Sequence, residues 1–131
     1  MLILDTCAMV FDSLEPGRLS KKASDAISQA DTKGVLACCD ISLWEIAMLI
    51  AKGRLDPGTD SQKFIRLVLM ARNIRVLPIT VEIAAKSAQP RFFPHGDPAD
   101  RIIAASTIIN KAKLVTSDQK LATVAGLHIV W

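Results

Sequence analysis

Three apolar residues, Leu2-Ile3-Leu4, run straight into an aspartate, Asp5, followed by Thr6. An apolar run this short reads as a buried strand, with Asp-Thr opening the next helix. That one stretch restricts the chain to folds in which a short strand is covered by helices. Asp5 would stand at the carboxyl end of a central strand, the edge at which open α/β sheets bind ligands. Three later acids, Glu45, Asp100 and Asp118, are expected to join it there and hold a divalent metal.

The rest of the chain repeats the pattern. Val35 to Cys38, Val76 to Ile79, Leu114 with Val115, and His128 to Trp131 are further strand candidates. Between them lie stretches with apolar residues at helical spacing. Cys7 to Phe11 makes a short helix, broken at Glu15-Pro16-Gly17. Ser20 caps a helix carrying Ala23, Ala26, Ile27 and Ala30, which ends at Gly34. Ser42 opens another, with Leu43, Ile46, Ala47 and Ile50 on its stripe and Lys52-Gly53 as its stop. Asp60 starts a fourth, with Phe64, Leu67, Val68 and Ala71 on one face. Thr80 caps a helix to about Ala88. Gln89 to Gly96 reads as a loop, with two prolines and two phenylalanines. Asp97-Pro98 opens an apolar helix to about Ala112, and Ser117 or Asp118 starts a short one ending near Gly126. This alternation predicts an α/β protein of three layers, α/β/α, around a central parallel sheet.

Composition narrows the class further. The 131 residues match the usual size of one domain, residues 1–131 as a single unit, and half are hydrophobic. No apolar run approaches ~18 residues, and Asp5 interrupts the place of a signal peptide's apolar core, so a cytoplasmic protein with no membrane contact is expected. Cys7, Cys38 and Cys39 are odd in number and contain no Cys-x-x-Cys, and His95 and His128 lie far apart, which argues against a disulfide framework and a zinc site. The formal charge of +3 permits contact with nucleic acid without demanding it.

Each of the four acids also reads as a helix cap. Ser42-Leu43-Trp44-Glu45 has the form of a capping box, and so has Asp97-Pro98-Ala99-Asp100, with proline at its favoured first helical position. Asp5 and Asp118 stand at helix starts, where the macrodipole favours a carboxylate. Capping explains one acid per helix, though, and a parallel sheet would bring all four to one rim. Carboxylates in one cleft repel unless a cation neutralises them. Oxygen donors suit Mg²⁺ or Mn²⁺ better than zinc.

Leu2-Ile3-Leu4-Asp5-Thr6, Ser42-Leu43-Trp44-Glu45-Ile46-Ala47 with Lys52-Gly53, Asp97-Pro98-Ala99-Asp100-Arg101-Ile102-Ile103-Ala104-Ala105, and Leu114-Val115-Thr116-Ser117-Asp118 resemble, in order and spacing, the successive motifs of PIN-domain nucleases. In length and motif order the chain is most similar to the VapC-type toxins of toxin–antitoxin pairs. The resemblance implies a Mg²⁺- or Mn²⁺-dependent endoribonuclease that hydrolyses RNA phosphodiesters with a metal-activated water, leaving 5′-phosphate and 3′-hydroxyl ends. It implies Asp5, Glu45, Asp100 and Asp118 as the catalytic and metal-holding acids, and Thr6 as a supporting hydroxyl, with Ser117 beside Asp118 in the same role. Either Asp97 or Asp100, one helical turn apart, can face the metal, and Asp100 is the expected ligand. A protein antitoxin and a homodimer are implied as partners, with the Ile46–Met70 helical pair as their surface.

Arg91, His95 and Arg101 flank the expected site and are candidates for RNA contact, as is Lys120; Phe92 and Phe93 can stack on bases or pack inside. Two other functions fit parts of the pattern. A phosphatase could use Asp5 as nucleophile, although Cys7 stands where such enzymes carry a second aspartate. A non-catalytic RNA-binding or scaffold module could share the fold, but binding an anionic backbone needs no set of acids.

Overall fold

The computed structural model describes all of residues 1–131. Its strands are β1 (Leu2–Leu4), β2 (Leu36–Cys39), β3 (Arg75–Leu77), β4 (Lys113–Val115) and β5 (Ile129–Val130), and its helices α1 (Thr6–Leu14), α2 (Lys21–Thr32), α3 (Asp40–Ala51), α4 (Ser61–Ala71), α5 (Val81–Ser87) and α6 (Pro98–Ile109). The strands form one sheet in the order β3-β2-β1-β4-β5, with every pairing parallel.

From β1 to β3 the chain steps one way across the sheet, then crosses back to β4 on the far side of β1. Right-handed crossovers therefore put α1 to α4 on one face and α5 with α6 on the other. The side chains follow the period of two. Leu2, Leu4, Leu36, Cys38 and Val115 pack with Ile27, Ile46, Phe64 and Val68, while Ile3, Ala37, Cys39 and Leu114 pack with Phe93, Ile103, Ala104 and Leu121. Both faces are covered, which is why the strands are continuous apolar runs. The three-layer α/β/α architecture with a central parallel sheet holds as expected. No helix is long and apolar enough to cross a membrane.

Several boundaries move, each for a local reason. The third helix starts at Asp40, not Ser42: β2 enters it with no intervening loop, and Cys39 is the N-cap. Asp40 accepts a hydrogen bond from the Ile79 N–H at 3.1 Å, which ties the ends of β2 and β3 together. β3 stops at Leu77 because Pro78 has no N–H for the ladder. The helix expected from Ser117 or Asp118 to Gly126 is only a 3-10 turn at Leu121–Thr123. There Asp118 Oδ1 accepts from the Lys120 N–H at 2.9 Å, and this local bond competes with the start of an α-helix. α6 ends at Ile109 rather than near Ala112, and Lys111 turns the chain into β4 with φ of 52°.

Across the helical layer, Arg72, just beyond α4, donates from Nε and Nη2 to the two oxygens of Asp12 in α1, each at 3.0 Å. Its Nη1 lies 3.6 Å from Asp31 in α2. This fork joins three helices.

Candidate active site

The order of the strands reverses at β1, so the carboxyl ends of β1 and β4 border a topological switch point. Asp5 follows β1 directly. It is the N-cap of α1, with Oδ1 accepting from the Ala8 N–H at 2.7 Å, and is only 6% exposed. Burial pushes its pKa up; hydrogen bonds from the Thr116 hydroxyl and the Ala8 amide pull against that, and the charge of Asp118 adds to the rise. In-register pairing of Leu4 with Val115 sets Thr116 beside Asp5. Thr116 is buried and also accepts from the Asp118 N–H at 3.0 Å.

Glu45 lies well inside α3, since the helix begins at Asp40. The capping-box reading of Ser42 and Glu45 is therefore incorrect. Ser42 is fully buried in the first turn and caps nothing; its oxygen is 2.9 Å from Thr6 Oγ1. Thr6 Oγ1 in turn makes a short hydrogen bond with Glu45 Oε1. Desolvation raises the Glu45 pKa, the Thr6 bond lowers it, and the charges of Asp97 and Asp5 raise it further.

The two acids of α6 separate cleanly. Asp97 is the cap: its Oδ1 accepts from the Asp100 N–H at 2.8 Å, with Pro98 following at the first helical position. The Asp100 carboxyl is pushed up to about 7, first by desolvation, then by the charges of Asp97, Asp118, Glu45 and Asp5. Exposed Cys7 borders the same group. Partial desolvation and the charges of Asp5, Glu45, Asp100 and Asp118 push its thiol to about 11.

These acids thus share one rim and feel one another's charge. They do not form a closed shell: no three or more His, Cys, Asp or Glu side chains gather closely enough to hold an ion as they stand. Nor do they have counter-ions. The ion pairs join Arg18 to Glu15, Lys21 to Asp25, Lys63 to Asp60, and Arg72 to Asp12 and Asp31, none at this rim. A partly buried anionic group made only of hard oxygen donors, without a protein cation, fits Mg²⁺ or Mn²⁺.

The remaining predicted residues fall around this rim. Arg101 is spent on the backbone: Nε donates to Ser87 O and Nη2 to Gln89 O, both at 2.7 Å, and Nη1 donates to Phe93 O. It clamps the loop before α6, so its fork serves the protein's own carbonyls. Phe93 is buried, and a Cβ at Gly96 would run into its ring, so this loop needs glycine. Phe92 is half-buried, with Lys86 Nζ 4.9 Å from its ring centroid. Arg91, His95 and Lys120 are exposed. Ser117 is exposed as well; the buried hydroxyl at this corner is that of Thr116, which accepts from the Asp118 N–H and was not singled out in the sequence. Aligning the two apolar runs as neighbouring strands would have found it.

The acid rim at the switch point of a five-stranded parallel sheet coincides with a family assignment. The PIN domain family model matches residues 2–127, and the chain belongs to that family. Ribonuclease VapC22 of Mycobacterium tuberculosis (strain ATCC 25618 / H37Rv) is 38% identical over 121 residues, which are 92% of this chain and 88% of that protein. Among solved structures, VapBC2 from Rickettsia felis, bound to a DNA fragment from their promoter, superimposes with a TM-score of 0.75 at 16% identity, covering 98% of this chain and 96% of that one. FitAcB from Neisseria gonorrhoeae gives 0.65 at 20% identity, with coverages of 98% and 96%. A toxin–antitoxin complex from Klebsiella pneumoniae gives 0.63 at 17%, with coverages of 97% and 95%. These structural likenesses establish the fold.

Proposed function

We propose that this chain is a divalent-metal-dependent endoribonuclease acting on single-stranded RNA, and the toxin of a toxin–antitoxin pair. The observation that carries the reading is the uncompensated acid rim, with the Asp100 carboxyl held at about 7 by burial and by its acidic neighbours. The identity to a VapC ribonuclease supports the substrate class, and the toxin–antitoxin complexes of the same fold support the partner.

Asp5, Glu45 and Asp100 are assigned to hold the ion, Asp118 to complete the group, and Asp97 to cap α6. A bound Mg²⁺ or Mn²⁺ supplies charge neutralisation and the acidity that makes water a nucleophile at neutral pH. The chain's own residues do the positioning. Ala8 N–H fixes Asp5, and Thr6 fixes Glu45. With the Asp100 carboxyl pushed up to about 7 by burial and its acidic neighbours, the cation-free site favours its protonated form far more than an ordinary carboxylate would, and a bound cation would favour the ionised one. Exposed Arg91 and His95, in the loop leading to Asp97, are available to RNA phosphates.

The phosphatase alternative loses support here. Such an enzyme carries a second aspartate two positions on, and here that position is the exposed thiol of Cys7. For partners, Ile46 is wholly buried and belongs to the core, but Trp44, Leu67 and Met70 on α3 and α4 are 59%, 61% and 77% exposed. We assign this apolar surface to the antitoxin or to a second copy of the chain. Sedimentation of Leu67→Asp/Met70→Asp against wild type reads this directly. A wild type that stays monomeric at high concentration and ignores a co-expressed antitoxin overturns the partner assignment.

Incubation of single-stranded RNA with Mn²⁺ or with EDTA tests the activity. Cleavage with Mn²⁺ only, yielding 5′-phosphate ends and absent in Asp5→Asn, is expected. Mn²⁺ at 100 times its Kd should also stabilise the wild type by about 2.7 kcal/mol. No metal-dependent cleavage, together with a melting point indifferent to metal, overturns the reading.

A further inference from the structure

Thr6 Oγ1 has two oxygen neighbours, Glu45 Oε1 and, at 2.9 Å, Ser42 Oγ. A hydroxyl carries one proton, so Thr6 donates to only one of them. The carboxylate is the stronger acceptor and takes it. Ser42 then donates its own proton to Thr6 Oγ1. Ser42 is wholly buried, and Thr6 is the one partner its hydroxyl has in the structure. A buried hydroxyl with no bond is costly, so the Ser42–Thr6 contact is strongly held.

We propose that Ser42 is a positioning residue for the metal-holding acids, acting on Glu45 through Thr6. The inference rests on the nuclease reading above and extends it to a residue that touches neither metal nor substrate. The relay runs from Ser42 in the first turn of α3 to Thr6, the residue after Asp5, and back to Glu45 one turn further along α3. It therefore joins the end of β1 to α3 and sets the separation of Asp5 from Glu45. With one Glu45 oxygen fixed by Thr6, the other is left for a cation. Ligand orientation by such outer hydrogen bonds is worth about 10–100-fold in metal affinity.

A double-mutant cycle on the full chain tests this, with Mn²⁺ itself as the probe and free Mn²⁺ read by electron paramagnetic resonance. Ser42→Ala should weaken Mn²⁺ binding about tenfold and slow RNA cleavage at limiting Mn²⁺. Thr6→Val should weaken it as much or more. Ser42→Ala made in the Thr6→Val background should change nothing further, since the relay is already cut. Ser42→Thr, which keeps the hydroxyl, should bind Mn²⁺ more tightly than Ser42→Ala. Melting in EDTA accompanies each variant, and binding is measured well below the lowest melting point, so that lost packing does not imitate lost positioning. If Ser42→Ala binds Mn²⁺ like wild type, or if the two substitutions act additively, the proposal is overturned while the nuclease reading stands. A wild type that binds no Mn²⁺ overturns both.

Discussion

The molecule holds two groups of partly buried carboxylates on the same helical scaffold, and they are treated in opposite ways. Asp12 and Asp31 meet Arg72, whose fork takes both oxygens of Asp12. Asp5, Glu45, Asp100 and Asp118 meet no cation of the protein at all. The first group fastens α1 and α2 to the end of α4. In the second, desolvation and the charges of neighbouring acids raise the pKa values of Asp5, Glu45 and Asp100. The contrast separates acids compensated within the chain from acids left without a counter-ion, the group proposed above to hold an outside cation.

The largest expected difference is in catalysis. Asp100→Asn should lower RNA cleavage by about 100-fold or more, because it removes charge where the reaction needs it. Asp12→Asn, assayed below its melting point, should leave cleavage by the folded protein within about twofold, since the group lies outside the rim. Equal losses in both variants would erase the distinction.

Stability should move the other way. Arg72→Ala strands Asp12, whose side chain is only 8% exposed. Breaking a buried pair costs about 3–5 kcal/mol. Arg72 itself is 32% exposed, so about 2 kcal/mol is expected here, a fall of roughly 8 °C in Tm. Asp100→Asn should instead stabilise the EDTA-treated protein, as one repelling charge is gone. Thermal melts of the two variants in EDTA read both signs in one experiment.

Much of this contrast could be anticipated from residues, and the exceptions have physical causes. Leu2–Leu4 and Leu114–Val115 were legible as strands because full burial on two faces leaves short unbroken apolar runs. Asp97-Pro98 was legible as a helix start because proline and the cap act within one turn. Ser42 and Glu45 misled, since a serine three residues before a glutamate looks the same at an N-cap and inside a helix. What differs is the loop length before it, which is zero here. The pair Leu121 and Val124 fits an α-helix and a 3-10 turn equally, and a backbone bond to Asp118 decided it. Arg101 was unreadable because its partners are main-chain carbonyls, which carry no sequence identity. Strand order brought the acids near enough to feel one another's charge, though not into a closed shell, and the absence of a cation beside them became visible only in three dimensions.

A smaller effect sharpens the contrast through pH. The Asp100 pKa is raised from 3.8 to about 7. Between those values the native state binds a proton that the unfolded chain releases, so the metal-free protein loses stability as pH rises from about 4 through 7. The full shift would correspond to roughly 4 kcal/mol, but the site is half-exposed and screened, and about 1 kcal/mol is expected. Asp5 and Glu45 shift in the same direction. The EDTA-treated wild type should thus melt higher at pH 5.5 than at pH 8, and Asp100→Asn should flatten that slope. A wild type that is more stable at pH 8 would contradict the repulsive account of the rim.

The smallest effect concerns Asp97, which stands between the two kinds of acid. It caps α6 through the Asp100 N–H, a structural task, yet its charge is the largest acidic influence on both Asp100 and Glu45. Asparagine caps a helix about as well as aspartate, so Asp97→Asn should change stability by less than about 0.5 kcal/mol, while Asp97→Ala should cost ~1 kcal/mol. Removing the charge should also lower the pKa of Asp100 and weaken the pH dependence of the melt without abolishing it. Cleavage should fall far less than in Asp100→Asn, because Asp97 is exposed at the N-cap of α6 whereas Asp100, half-buried among the other acids, is the one assigned to the ion. If Asp97→Asn instead loses cleavage and Mn²⁺ binding as completely as Asp100→Asn does, Asp97 is itself a metal-holding acid. The boundary between compensated and uncompensated acids would then run through α6 one turn earlier than the hydrogen bonds place it.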